Sequence, residues 1–144
     1  MSTIDVRLLG SNDLSVLDRV AEGVFDNPID PRWARMFFAD ARHHLVVAID
    51  DGVVVGMASA VDYVHPDKAP QLFINEVAVA STHRQRGIAA RMLGELLSLG
   101  RALACTEAWV GTEADNMPAR RLYERGGGLA EPFVLYLFGI EAHD

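Results

Sequence analysis

Apolar residues near the N-terminus recur every three to four positions, which is typical of amphipathic helices. Thr3–Leu9 precedes them and predicts a short strand. Ser11 or Asn12 can cap a first helix, whose apolar positions are Leu14, Leu17, Ala21 and Val24. Asp30-Pro31 supplies a cap with proline at the first helical position, so we expect a second helix through about Ala41.

The middle of the chain changes to the two-residue spacing of strands. Leu45–Ile49 and Val53–Met57 flank the turn Asp50-Asp51-Gly52, and this arrangement predicts a hairpin. The second strand is expected to continue to about Tyr63, and a loop should separate it from another β-rich run at Leu72–Val79.

Helical spacing returns in the second half of the chain. A helix is predicted from about Gly87 to Gly100, followed by a strand at Glu107–Gly111 and a helix at Met117–Arg125. Phe133–Ile140 should form the last strand. The order β-α-α-β-β-β-α-β-α-β predicts a single domain over residues 1–144, in which helices pack on a mixed sheet, an α/β or α+β fold.

Composition narrows the classes of partner. The 144 residues carry 13 basic and 20 acidic side chains, a net charge of −7 that disfavours nucleic acid. No apolar run approaches the roughly 20 residues of a membrane span, and no signal peptide precedes the fold, so we expect a cytoplasmic protein without a membrane partner. Cys105 is the only cysteine, and the histidines lack a ligand pattern, so no metal is predicted.

One segment is cationic against this acidic background. Between Ser81 and Arg91 the chain has Arg84, Arg86 and Arg91 and no acid. Here a strand enters a loop with the spacing R-x-x-G-x-A, and the loop enters a helix N-terminus, which exposes N–H groups and partial positive charge. A diphosphate ligand would suit this loop. An ordinary strand–turn–helix connection with solvated arginines remains the alternative.

A second pattern follows the strand at Glu107–Gly111. It has the spacing N-x-x-A-x-x-L-Y-E-x-x-G, at Asn116, Ala119, Leu122, Tyr123, Glu124 and Gly127. Together with the R-x-x-G-x-A loop, it resembles the GNAT family of acetyl-CoA-dependent N-acetyltransferases, and more loosely the subgroup of aminoglycoside 3-N-acetyltransferases. The resemblance implies a single N-acetyltransferase domain with a mixed central sheet, helices on both faces, and acetyl-CoA as cofactor.

The resemblance also implies where the cofactor lies. The pyrophosphate is expected at Arg84, Gln85, Arg86, Gly87, Ile88 and Ala89, and the pantetheine arm along Val77, Ala78 and Val79. Asn116 is expected to contact the cofactor, although capping of the following helix would explain it as well.

Acetyl transfer to an amine requires a base, an oxyanion donor and an acid for the departing thiolate. Glu76 is the candidate base, directly or through water, because it is the one charged residue between Leu72 and Ala80. A solvent-facing or arginine-paired glutamate is the alternative. The N–H of Ala78 is a candidate oxyanion donor. By resemblance Tyr123 is the acid, and a core tyrosine is the alternative.

The acceptor is the least defined part of the prediction. Acids such as Asp26 and Asp30 suit a small cationic amine, such as an aminoglycoside or a polyamine, or they form only a solvated surface. Trp33 would border the acceptor site if the early helices line it, as they do in the family. A protein or peptide acceptor, a non-catalytic acyl-CoA-binding module, and a homodimer all stay open.

Overall fold

The computed structural model describes residues 3–141, in which five strands form one mixed sheet. The strands are β1 (Asp5–Leu8), β2 (His43–Asp50), β3 (Val53–His65), β4 (Lys68–Val79) and β5 (Glu107–Trp109). They lie in chain order, antiparallel from β1 to β4, and β5 joins β4 in parallel. The predicted α/β class is confirmed.

Three α-helices accompany the sheet: α1 (Pro31–Ala39), α2 (Ile88–Ala102) and α3 (Met117–Arg125). Asp30 caps α1 as predicted, because its Oδ1 accepts a hydrogen bond of 2.9 Å from the N–H of Arg32. The α2 helix packs across β1 to β4 and buries Ile88, Met92 and Leu96. These contacts fix the position of the N-terminus of α2 relative to the end of β4.

Successive side chains of β4 point to opposite faces of the sheet, and their contacts show which helix covers each face. Leu72 and Ile74 are buried, and a Cβ placed on Gly100 of α2 would lie 3.4 Å from Leu72 Cδ2. Phe73 points the opposite way and lines a cavity together with Phe37 of α1. The α1 and α2 helices therefore cover opposite faces of the sheet, as the family resemblance implies.

The first predicted helix is wrong. Only Leu14–Asp18 is helical, as a short 3₁₀ turn. Beyond it, Val54 donates its N–H to Arg19 O, and Ala21 donates its N–H to Val54 O. Because this backbone is hydrogen-bonded to β3, it cannot continue a helix.

The last predicted strand is also absent from the described residues. After Gly128 the chain forms neither helix nor strand up to residue 141, and its apolar side chains are exposed. The predicted loop before Leu72 is instead the end of a hairpin, since β3 and β4 already pair at His65 and Lys68. None of the helices in residues 3–141 is long and apolar enough to cross a membrane.

Candidate functional site

The sheet opens between β4 and β5. Their ladder pairs Gln71–Phe73 with Glu107–Trp109, and within the described residues it ends there. The rings of Phe73 and Trp109, the last pair of this ladder, pack against each other with centroids 4.3 Å apart. Because β4 continues to Val79 while β5 ends, a stretch of β4 backbone borders an opening on this side.

Strand alternation shows which backbone groups of β4 face this opening. Ala80 donates its N–H to Val55 O of β3 over 2.7 Å. Two residues back, Ala78 is also directed at β3, whereas Val77 and Val79 direct their N–H and C=O groups away from it. In agreement, Arg84 Nε donates to Val79 O over 3.4 Å. The sequence-based choice of the Ala78 N–H as oxyanion donor therefore does not match the strand geometry, and the groups of Val77 and Val79 do.

The loop after β4 leads into an exposed helix N-terminus. Gly87, at the N-cap of the 15-residue α2, has φ 75°, and the cap makes no side-chain hydrogen bond. Gln85, at φ 62°, is also left-handed. A Cβ on Gly87 would meet nothing within 4 Å, so the space beside the Gly87 backbone is open. The segment from Arg84 to Ala89 thus fits a diphosphate, since oriented N–H groups and helix dipoles bind anions.

His83, which the sequence analysis did not assign to the site, links this loop to the sheet by a hydrogen bond. His83 Nε2 lies 2.7 Å from Asp50 Oδ2 at the end of β2, and His83 Nδ1 lies 2.7 Å from Thr82 Oγ1. His83 directly precedes Arg84, the first residue of the loop. Its contact with Asp50 therefore connects the loop to the β2–β3 turn. The pairing spans 33 residues, so no local pattern reveals it.

Glu76 lies on the sheet face that α1 covers. It pairs with Ser59 of β3, and a register shift next to it leaves Asn75 as an extra residue in β4. The bulge keeps Glu76 on the same face as Phe73, although three positions separate them. A cavity of about 240 Å³ opens on this face, lined by Phe37, His43, Ser59, Ala60, Val61, Phe73 and Asn75.

The carboxyl group of Glu76 has a perturbed pKa. Although Glu76 is exposed, partial desolvation by its surroundings raises this pKa, and the negative charge of Asp26 raises it further. Among residues 3–141 no arginine forms an ion pair with Glu76, so the arginine-paired alternative has no support, whereas the exposure of Glu76 agrees with the solvent-facing alternative. A carboxylate with a raised pKa is a stronger base than an ordinary glutamate.

The α3 helix holds the other two predicted residues. Asn116 Oδ1 accepts a hydrogen bond of 3.2 Å from the N–H of Ala119, so the capping interpretation is confirmed, and contact of Asn116 with the cofactor stays a prediction. Tyr123 is half-buried against the core, and burial raises the pKa of its phenol. A Cβ on Gly126 would lie 3.1 Å from Leu93 Cδ2, so the last turn of α3 abuts the first half of α2.

Cys105 and Trp33 are not part of the segment from Glu76 to Ala89 or of α3. Cys105 lines a separate cavity of about 220 Å³ with Leu72 and Leu97, and burial raises the pKa of its thiol. A raised thiol pKa leaves little reactive thiolate at neutral pH. Trp33 is 61% exposed beneath the guanidinium of Arg32. Its place at the border of an acceptor site stays a prediction.

Known proteins resemble the chain at both the sequence and the fold level. The family model described as "Acetyltransferase (GNAT) family" matches residues 15–128. An L-2,4-diaminobutyric acid acetyltransferase from Oceanobacillus iheyensis is 39% identical over 70 residues, which cover 49% of this chain and 37% of that protein. An aminoglycoside N(6')-acetyltransferase type 1 from Salmonella typhimurium is 29% identical over 85 residues, covering 56% of this chain and 59% of its own length.

A solved aminoglycoside N-acetyltransferase in complex with CoA shares the fold, with a TM-score of 0.78, 20% identity and 96% of each chain covered. The two enzymes that act on aminoglycosides are named for the 6′ amino group, so the looser resemblance to 3-N-acetyltransferases stays a prediction. The chain spans less than two thirds of the length of the two curated relatives. The family model nevertheless covers most of it, and the chain belongs to the acetyltransferase (GNAT) family, whose cosubstrate is acetyl-CoA.

Proposed function

We propose that this chain, acting as a single N-acetyltransferase domain, transfers an acetyl group from acetyl-CoA to a primary amine of a small cationic acceptor. The observation that carries the proposal is the continuous segment from Glu76 to Ala89. It joins a carboxylate of raised pKa, a strand with backbone groups facing an opening, and an uncapped helix N-terminus with space at Gly87.

In the proposed reaction the loop before α2 and the end of β4 hold the cosubstrate. N–H groups at Gly87, Ile88 and Ala89 hold the diphosphate, with Arg84, Gln85 and Arg86 around it. The backbone groups of Val77 and Val79 bind the pantetheine arm, and Ala78 contributes its place in β4 rather than its N–H. Asn116 caps α3 and is proposed to contact the cofactor from there.

The chemical step needs proton transfers at two atoms. Glu76 accepts a proton from the acceptor ammonium, directly or through water, because only the neutral amine has the lone pair that attacks the thioester carbon. The N–H of Val77 donates to the carbonyl oxygen as negative charge develops there. When the carbon–sulfur bond breaks, the Tyr123 hydroxyl donates its proton to the sulfur, and its raised pKa keeps it protonated beforehand.

Charge at Glu76 supports a cationic acceptor. The charge of Asp26 raises the pKa of Glu76, and the negative charge of these two carboxyl groups attracts an ammonium group. A cavity of about 240 Å³ opens on the sheet face that carries Glu76, and a cavity of this size suits an amine of metabolite size. Named relatives act on diaminobutyric acid and on aminoglycosides, and both are amines.

The experiment is a thiol-release assay with acetyl-CoA over aminoglycosides, polyamines, diamino acids and peptides. We expect turnover with one or more small cationic amines. Transfer only to peptides would replace the acceptor with a protein or peptide, and binding of acetyl-CoA without any turnover would favour a non-catalytic acyl-CoA-binding module.

Two variants test the roles of the side chains. Glu76→Gln should lower kcat at neutral pH by about 100-fold or more, in the range for a lost general base, with little change in affinity for acetyl-CoA. Glu95→Gln, the same change at an exposed position of α2, is the matched control. Tyr123→Phe should lower kcat about tenfold or more without changing the KM for acetyl-CoA. Wild-type kcat in either variant would remove that residue from the mechanism.

A further inference from the structure

The hydrogen bond between His83 and Asp50 joins the loop before α2 to a strand that is distant in sequence. His83 Nε2 lies 2.7 Å from Asp50 Oδ2, at the end of β2. Among the described residues, the other hydrogen bonds of residues 81–87 join partners within residues 79–91. Of the hydrogen bonds in this part of the chain, the one from His83 therefore fixes the loop relative to β2.

This pair of side chains is shielded from solvent. The side chains of His83 and Asp50 are 16% and 15% exposed, and the second ring nitrogen of His83, Nδ1, lies 2.7 Å from Thr82 Oγ1. Because both ring nitrogens have a partner, the orientation of the ring is fixed. Low exposure also strengthens the hydrogen bond, since a hydrogen bond is electrostatically stronger in the low-dielectric interior of a protein than in water.

Asp50 stands on a well-packed part of the sheet. It pairs with Val53 across the β2–β3 turn, and the next residues of β3, Val54 and Val55, are buried. Val55 O also accepts the N–H of Ala80 over 2.7 Å, so the same part of the sheet holds the end of β4. The start of the loop is thus attached to a buried scaffold at two points.

The loop itself makes few bonds that hold its conformation. Gln85 is left-handed, at φ 62°, which is unfavourable for a residue with a side chain. The N–H groups of Arg86 and Gly87 donate no backbone hydrogen bond within residues 3–141. Such a backbone persists only where its surroundings impose it. Without the contact to Asp50, we expect the loop to spend part of its time in other conformations.

We propose that His83 and Asp50 are positioning residues for acetyl-CoA: their hydrogen bond keeps the loop from Arg84 to Ala89 in the conformation that receives the diphosphate. Neither side chain touches a reacting atom, and both act through the backbone of the loop. The inference rests on the placement of the diphosphate in the proposed function. It adds that the affinity for acetyl-CoA depends on the β2–β3 turn, which lies outside both sequence patterns.

The test measures the dissociation constant of acetyl-CoA by calorimetry. If the released loop is competent to bind about one tenth of the time, His83→Ala should raise this constant about tenfold. Asp50→Ala should have a similar effect. The double variant should bind no more weakly than either single variant, because the two residues act through one bond. His83→Gln should recover most of the affinity, since its amide N–H can still donate to Asp50.

Kinetics separate positioning from a general loss of structure. With an amine that is turned over, His83→Ala and Asp50→Ala should raise the KM for acetyl-CoA and leave kcat at the wild-type value, because the proposed catalytic side chains are untouched. A damaged fold would instead lower kcat and the midpoint of urea unfolding. His65→Ala and Asp67→Ala, the same changes at exposed positions where β3 turns into β4, are the matched controls and should leave KM and kcat unchanged.

Three results would overturn the inference. Wild-type affinity in either alanine variant would show that the loop keeps its conformation without this bond. Additive losses in the double variant would show that the two residues act separately, and a lowered kcat with an unchanged KM would show that they do not position acetyl-CoA. The two variants lie on different elements, so either one decides the question if the other does not fold.

Gly87→Glu distinguishes these failures from failure of the proposed site. Loss of acetyl-CoA binding in Gly87→Glu, together with wild-type affinity in the His83 and Asp50 variants, would leave the diphosphate placement intact and overturn only the positioning role. Normal binding in Gly87→Glu would contradict the diphosphate placement and remove the basis of the positioning role with it.

Discussion

Glu76 owes its proposed role to its surroundings. Partial desolvation and the charge of Asp26 both raise the pKa of this exposed side chain, and a raised pKa strengthens a carboxylate as a base near neutral pH. The residue itself could be predicted from the sequence, because it is the one charge in an apolar strand. The influence of Asp26 could not, because 50 positions separate the two and only the fold brings them near each other.

This pair gives a pH prediction. Asp26→Asn removes a like charge, so the ionised form of Glu76 becomes more favourable and its pKa falls. The acid limb of the kcat/KM profile should therefore move to lower pH, while Asp67→Asn, at the exposed β3–β4 turn, leaves it in place. A limb that is unchanged in Asp26→Asn would mean that another group controls the reaction at acid pH.

At the level of elements, the backbone angle and the open space at the N-terminus of α2 both depend on Gly87. Gly87 adopts φ 75° and leaves open space where a Cβ would project. Gly87→Glu should abolish measurable binding of acetyl-CoA by calorimetry, at least about a 100-fold loss, because a carboxylate would stand at the diphosphate and repel it. Gly23→Glu is the matched control, since Gly23 is also left-handed, at φ 84°, and open. Unchanged affinity in Gly87→Glu would contradict this placement of the diphosphate.

The packing of α2 on the sheet depends on another glycine. A Cβ on Gly56 of β3 would lie 3.0 Å from Met92 Cε, which is fully buried, and 3.3 Å from the backbone oxygen of Ala78. Gly56→Ala should therefore lower the free energy of unfolding by about 1 kcal/mol or more through overpacking.

The same substitution on the outer face of α2 should have the opposite sign. Gly94 is exposed, and a Cβ there meets nothing within 4 Å, so Gly94→Ala should raise the free energy of unfolding by about 0.5–1 kcal/mol. Urea unfolding of both variants measures the pair. Equal effects in the two variants would show that α2 can shift to admit a side chain at Gly56.

Elements with strong local signals were predictable and those decided by distant partners were not. The helix near Gly87–Gly100 and the hairpin at Asp50-Asp51-Gly52 depend on local periodicity and turn chemistry, and both are present. The first helix failed because backbone near Val20 pairs with Val54 of β3. The strand at Phe133–Ile140 has the composition of a strand but no partner in the described chain, and pairing is what makes a strand.

At the scale of the whole molecule, the acidic surface and the cationic loop act on different substrates. The net charge of −7 attracts cations and repels anions at long range, whereas acetyl-CoA is proposed to bind at Arg84 and Arg86, in a stretch of sequence that contains no acid. The same chain can thus steer a cationic acceptor by its overall field and hold an anionic cosubstrate by local N–H groups. Composition alone predicted the first property, and the second required the motif.

Because the acidic surface attracts a cationic acceptor through long-range charge, the KM for that acceptor should depend on salt. Raising the ionic strength from about 10 mM to about 150 mM shortens the Debye length from about 30 Å to about 8 Å, so the attraction between the acidic surface and a polycation weakens. With saturating acetyl-CoA, the KM for an aminoglycoside or polyamine substrate should rise several-fold over this range, more steeply than for a singly charged alkylamine. Asp26→Asn should flatten the dependence, because it removes one of the two carboxylates at the proposed acceptor site. A KM that is independent of salt for the polycation would show that the excess acid is solvated surface and that the acceptor is recognised by shape and hydrogen bonds instead.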